Sequence, residues 1–167
     1  MTDESSNQVD TGSKSDGPVL VAVDFTPDSG AALLWACDYA RLSGAPVLAL
    51  HVVHDPGDDP GRYKTKKQDQ MRPIEEVAAD MMQEFLDKHR AERPGDEVLQ
   101  AVQPVLVPGV PATRILEIAA SRHARQIVMG SRGRTGLPHL LLGSKAERVV
   151  QLSPVPVTIV KAKKTAE

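Results

Sequence analysis

Residues 19–53, VLVAVDFTPDSGAALLWACDYARLSGAPVLALHVV, decide the fold. Val19-Leu20-Val21-Ala22-Val23 is a short, continuous apolar run, the pattern of a strand covered on both faces. Asp24 ends it. Thr26-Pro27 then reads as an N-cap followed by proline at the first helical position. Ala32, Trp35, Ala36, Tyr39 and Ala40 recur at helical spacing, and Gly44 supplies the stop. Pro46 opens a second apolar run, Val47 to Val53. Strand, helix, strand is a crossover unit, the connection that consecutive parallel strands require.

The remaining chain continues the alternation. His54 to Arg72 is polar and rich in Gly, Pro, Asp and Lys. It reads as a long loop, of a length that compact domains rarely carry unless it is functional or mobile. A helix is predicted from Pro73 to Arg90, with Ile74, Val77, Ala78, Met81 and Phe85 on its inner face and Arg93-Pro94-Gly95 as its stop. Leu99 to Val107 is the third strand, and Pro104 inside it predicts an edge position. Pro111 opens a helix that turns Ile115, Ile118 and Ala119 inward, and Gln126–Gly130 is the fourth strand. Ser144 starts a further helix, with Ala146, Val149 and Val150 inward, and Ser153 to Pro156 breaks it. Val157–Val160 is the fifth strand. Residues 1–17, rich in Ser, Asp, Thr and Gly, read as a disordered leader to a domain at 18–162, and 163–167 as a loose tail. Five strands alternating with four helices predict an α/β fold: an open, doubly wound parallel sheet with helices on both faces.

Composition narrows the function. A length of 167 residues suits one domain with one sizeable core. Aromatic residues are only 3%, so aliphatic side chains and alanine must fill that core. A net charge of −2 offers no electrostatic reason for nucleic acid or an anionic membrane as partner. The single cysteine, Cys37, excludes an internal disulfide and any multi-cysteine metal site. Its expected place is inside a helix as a small apolar filler. The histidines at 51, 54, 89, 123 and 139 lack zinc spacing, and Asp55, Asp58 and Asp59 lack the spacing of a calcium loop. No apolar run approaches the roughly 18 residues of a membrane span. The polar N-terminus has no apolar stretch that could serve as a secretion signal, which leaves a cytoplasmic location as the expectation.

The chemistry concentrates after the fourth strand, in Gly130-Ser131-Arg132-Gly133-Arg134-Thr135-Gly136, Leu137 to Leu142 and Gly143-Ser144. A loop of this kind, leaving a buried strand and entering a helix, is where anions bind in doubly wound folds. Glycine lets the backbone approach a phosphate, and unpaired N–H groups at the helix start point toward it. The Ser144 hydroxyl adds a further donor. Arg132 and Arg134 are candidate phosphate clamps or solvated loop charges, and Gly136 reads as turn geometry. The order of residues is not that of a P-loop. The first strand ends Asp24-Phe25-Thr26 without glycine, which also excludes the dinucleotide fingerprint.

Gly130, two residues, Gly133, nine residues, Gly143-Ser144 resembles the nucleotide-binding signature of universal stress proteins. VAVDFT, LHVV and PVPVTIVK resemble that family's first, second and closing strands in the same order, so the likeness spans about Val19 to Lys161. The resemblance implies a Rossmann-like sheet of order 3-2-1-4-5 with a site for ATP, or for ADP or AMP, at the gap between strands 1 and 4. A Mg or Mn ion would be carried by the phosphates. It matches Val52 to backbone contacts with adenine, Asp24 to the ribose and phosphates, and Met129 to the nucleoside pocket. Gly130, Gly133, Gly143 and Ser144 match the phosphate contacts. Ala22, Arg132, Lys145 and Ala146 complete the candidate set. Lys145 departs from a position that is often aliphatic, and Ala146 from one that in some members carries a hydroxyl.

Three functions remain open on the sequence: a nucleotide-binding regulatory protein with slow or no hydrolysis, an interaction module of the same fold without nucleotide, and an enzyme acting at the α-phosphate. No general base or nucleophile can be picked out. The apolar strand at 156–160 is an edge that invites antiparallel pairing, so a homodimer is expected.

Overall fold

A computed structural model describes residues 17–54, 72–133 and 142–163 of the chain. The expected leader up to residue 16, the loop at 55–71, the segment 134–141 with Arg134 and Gly136, and the end of the tail lie outside the described residues. Ten elements follow in order: β1 (Val19–Ala22), α1 (Pro27–Ser43), β2 (Val47–Val53), α2 (Ile74–Glu92), α3 (Glu97–Gln100), β3 (Gln103–Pro108), α4 (Pro111–Ser121), β4 (Gln126–Gly130), α5 (Ser144–Leu152) and β5 (Val157–Val160). The strands form one sheet in the order β3-β2-β1-β4-β5, and every pairing is parallel. The α/β doubly wound arrangement and its strand order are as expected.

Alternation along each strand explains why the strands read as unbroken apolar runs. Val19, Val21, Val47, Ala49 and Val128 face one way, into a core completed by α1, α2 and Leu99 of α3. Leu20, Leu48, Leu50, Ile127 and Met129 face the other way, against Ala112, Ile115 and Ala119 of α4 and Ala146 and Val149 of α5. Both faces are covered, so the interior strands are almost wholly apolar, with His51 of β2 and Gln126 of β4 as their buried polar residues. Each fully buried leucine, such as Leu20 or Leu33, contributes about 2 kcal/mol by leaving water.

Thr26 caps α1, its hydroxyl accepting from the Ser29 N–H at 3.3 Å, and Gly44 closes the helix in the left-handed conformation at φ 69°. The inner face of α1 differs from expectation. Ala32, Leu33, Ala36, Cys37 and Ala40 are buried, while Trp35 is 37% exposed and stacks on Tyr39 at 5.6 Å between ring centres. Small side chains draw the helix close to the sheet, and the large indole is left at the rim.

The face of α2 is likewise rotated. Val77 and Ala78 are buried as expected, but Met82, Leu86 and His89 complete the stripe, leaving Ile74, Met81 and Phe85 half-buried. In α5, Ala146 and Val149 face inward, whereas Val150 is outward and exposed.

The expected third strand starts later than Leu99. The Asp96 carboxylate accepts from the Leu99 N–H at 3.1 Å and winds residues 97–100 into one helical turn. That turn buries Leu99 completely, and β3 begins only at Gln103. It then lies at the sheet edge, as Pro104 requires. Arg41 donates to Asp96 at 2.7 Å, and Arg93 donates to Asp38 at 3.1 Å. Burial alone would raise the Asp96 carboxyl, but the Arg41 and Leu99 hydrogen bonds outweigh it and hold the group below its usual range.

Cys37 lies beside this cluster. Burial first, then the charges of Asp96 and Asp38, push its thiol up from 9.0 to about 12. The folded protein therefore keeps the proton at a pH where the unfolded chain loses it. The resulting stability is full below pH 9.0 and is lost as pH rises toward about 12. Cys37 is expected to stay unreactive toward a thiol-specific dye at pH 8 until the protein is unfolded in urea. Rapid labelling of the native protein would contradict the burial.

Candidate functional site

The C-terminal ends of the strands define the site. Ala22, the last residue of β1, pairs with Leu50 of β2 on one side and Met129 of β4 on the other. From β1 the chain crosses to β2, and from β3 it crosses back to β4, so the connections diverge on either side of β1. A crevice at such a switch point is the usual ligand position in an open α/β sheet.

Beyond Ala22 the chain turns sharply. Phe25 has φ 66°, a left-handed conformation that only glycine adopts without cost. Its ring is held 4.4 Å from the imidazole of His51 and 5.8 Å from Phe85. The Nδ1 of His51, fully buried in β2, lies 2.7 Å from the Val23 carbonyl. β1 ends at Ala22, while its neighbour β2 runs on to Val53. The Leu50 carbonyl accepts from Val23 N–H at 2.8 Å. Strand alternation turns the peptide groups of Val52 to the same edge, where β1 has ended. His54 Nδ1 lies 3.1 Å from the Val52 carbonyl there.

Asp24 stands at the mouth of the gap. One of its carboxylate oxygens accepts from the N–H and the hydroxyl of Thr26. The other faces Gly133: a side chain at 133 would start 3.2 Å from Asp24 Oδ2. Gly143 folds back onto the same turn. Its N–H donates to the Ser131 carbonyl at 2.8 Å, and a Cβ on it would sit 3.6 Å from Arg132 Cα and from Gly133 N. Asp24, Gly133 and Gly143 therefore converge, although long stretches of sequence separate them.

Gly143 is also the N-cap of α5, with no side-chain hydrogen bond to the first turn. The leading N–H groups of α5 come before its first intrahelical hydrogen bond, from Glu147 N–H to the Gly143 carbonyl at 2.9 Å, and the helix dipole favours an anion at this end. Ser144 and Lys145 are exposed. Ala146 is buried in the core beneath α5, so only its backbone can serve the site. Met129 is buried in that same core, below the gap.

Two positions carry roles that the sequence did not suggest. A Cβ on Gly130 would lie 2.9 Å from both the carbonyl carbon and the Cβ of Asp28. Glycine is needed there so that β4 can end against the first turn of α1, whatever else its backbone does. Arg132 leans back toward the same turn, with Nε 4.0 Å from Asp28 Oδ2. Asp28 itself and Ser131, which hydrogen-bond to each other at 2.7 Å, were absent from the expected set. The available signal was an acidic residue in the first turn after Thr26-Pro27 and a serine directly after Gly130, the last residue of β4. Among the described residues, no group of His, Cys, Asp or Glu is placed to hold a metal ion. None of the described helices is long and apolar enough to cross a membrane.

A family model described as the universal stress protein family matches residues 17–161. The chain belongs to the universal stress protein family. A universal stress protein of Mycolicibacterium smegmatis is 34% identical over 144 residues, covering 86% of this chain and 45% of that protein. This chain thus spans a little under half of that relative's length. The solved structure of hypothetical protein MJ0577 of Methanocaldococcus jannaschii superposes with a TM-score of 0.64 at 26% identity, covering 90% of this chain and 99% of that one. The universal stress protein of Archaeoglobus fulgidus, solved in complex with dAMP, gives a TM-score of 0.58 at 25% identity, covering 87% and 98%. The universal stress protein fold is therefore present across the described chain.

The glycines of the turn should respond differently to a methyl group. Gly130→Ala must displace backbone at Asp28 and is expected to cost about 1–3 kcal/mol. Gly133→Ala meets, among the described residues, the end of the Asp24 side chain and should cost under about 1 kcal/mol. Urea unfolding of both variants checks the order.

Proposed function

We propose that this universal stress protein binds an adenine nucleotide, ATP foremost with ADP or AMP as alternatives, at the gap between β1 and β4. The role is regulatory, in a stress response, with slow hydrolysis or none. The observation that carries the reading is the convergence of Gly133, Gly143 and the start of α5 beside Asp24. Bare glycine Cα atoms leave room for phosphates, and N–H groups supply the donors for their charge.

The chemistry of the surroundings fits the other parts of a nucleotide. The Val52 peptide groups face the gap where an adenine edge needs hydrogen bonds, with Ala22 and Met129 at the adjoining strand ends. Asp24 Oδ2 stands where a ribose hydroxyl needs an acceptor. Ser144 and Lys145 are exposed at the helix start and are read as donors to phosphate oxygens, with Arg132, next to Gly133 in the chain, as a further charge. The dAMP complex of the Archaeoglobus fulgidus protein supports the ligand class. A Mg or Mn ion would arrive on the phosphates.

The same reading includes a homodimer. β5 is a sheet edge, and its residues Val157–Val160 are all half-buried. Antiparallel pairing of 156–160 across a two-fold axis would cover it. A monomer mass by light scattering at high protein concentration would exclude this part.

Equilibrium titration with fluorescent ATP tests the nucleotide. Wild type should bind, and Gly133→Asp should bind at least about tenfold more weakly, because a second carboxylate beside Asp24 repels phosphate. No binding by wild type at millimolar nucleotide rejects the reading and leaves an interaction module without nucleotide.

A further inference from the structure

Ser131 is a junction. It is fully buried, and each of its polar groups is committed to a different segment. Its N–H donates to the Val160 carbonyl of β5 at 2.8 Å, and its carbonyl accepts from Gly143 N–H at 2.8 Å. Its hydroxyl donates to Asp28 Oδ2 at 2.7 Å. Asp28, itself 8% exposed, uses its other oxygen to accept from the Ala162 N–H at 3.0 Å. The first turn of α1, the end of β4, the start of α5 and the chain leaving β5 therefore meet at two residues.

These bonds point in different directions from one residue. The two backbone bonds hold Ser131 along the sheet edge but leave its peptide planes free to tilt. The hydroxyl bond to a carboxylate, stronger than a neutral hydrogen bond, removes that freedom. Arg132 and Gly133 follow directly, so their orientation is inherited from Ser131. Gly143 is tethered to the Ser131 carbonyl and inherits its place as well. Asp28 lies in the first turn of α1, and its two hydrogen bonds replace the water lost on burial.

We propose that the Asp28–Ser131 pair is a positioning device for the phosphate-facing turn, and that it passes the order of that turn to the backbone at Ala162. Neither side chain contacts the nucleotide; they act through Gly133 and Gly143. The inference rests on the nucleotide reading above. Ligand that orders the 131–133 turn strengthens the Ser131–Asp28 bond, and the same carboxylate holds Ala162 just beyond the edge strand. Occupancy of the gap is thereby coupled to the C-terminal end of β5.

The test compares ATP with adenosine, which lacks the phosphates. Displacement of a fluorescent ATP analogue is measured for the full chain, for Ser131→Ala and for Asp28→Asn, with circular dichroism to confirm folding. Both variants should lose about tenfold in ATP affinity and keep adenosine affinity within about twofold. Equal losses for both ligands, or no loss for either, overturn the positioning role and leave the nucleotide reading standing. Wild type that binds neither ligand overturns both. Amide exchange in the wild type gives a readout that needs no variant: saturating ATP should slow exchange at Ala162 at least about fivefold. An unchanged Ala162 rate in ATP-saturated protein overturns the coupling.

Discussion

The end of β4 presses on the first turn of α1, and residue 130 must lack a side chain for this to happen. With a separation of 2.9 Å from a would-be Cβ to Asp28, no other residue fits without moving backbone. The contact places Asp28 within reach of Ser131, brings Arg132 toward the same carboxylate, and fixes where the turn leaves the sheet. Gly143 is then tied to that turn, and the start of α5 is tied to Gly143. The candidate site is thus built from one close packing of helix against strand end, extended outward by hydrogen bonds.

The other side of the gap depends on a different device. Phe25 holds a conformation unfavourable for any side chain, and its ring lies between His51 and Phe85. β1 ends at Ala22, shortly before this strained residue, while β2 continues to Val53. A strand that stops short beside a longer neighbour exposes peptide groups that the sheet no longer uses. Strain of this kind persists only where the surroundings over-determine it, and here the fully buried His51 and the α2 aromatic supply that constraint.

The two cores are separately filled. α1 packs with small residues on one face of the sheet; the Arg41–Asp96 pair ties its far end to the cap of α3, and the Arg93–Asp38 pair ties it to the end of α2. α4 and α5 cover the other face with aliphatic side chains. Because α5 sits on the second core through Ala146 and Val149, its N-terminus has a fixed height above the strand ends. Packing on one face thereby sets the position of polar groups at the sheet edge.

Continuous apolar runs, the Thr26-Pro27 cap, the Gly44 stop and the edge proline at 104 sufficed to read the strands, their parallel arrangement and the helices between them. Those signals act within a few residues, where cap and turn chemistry or strand burial decide the outcome. The glycine spacing around 130–143 also marked the segment that approaches the sheet edge. What the sequence left undecided involves direction and distance. The rotation of α1 that exposes Trp35, the shift on α2 from Phe85 to Leu86, and the Asp96 cap that takes Leu99 out of β3 each follow from how an element seats on the sheet. A helical stripe admits more than one such seating, and only packing selects among them. The meeting of Asp28, Ser131 and Ala162 was hidden for the same reason: their separation along the chain carries no periodic signal, and only the closing of α1 over β4 and β5 brings a carboxylate, a hydroxyl and an amide together.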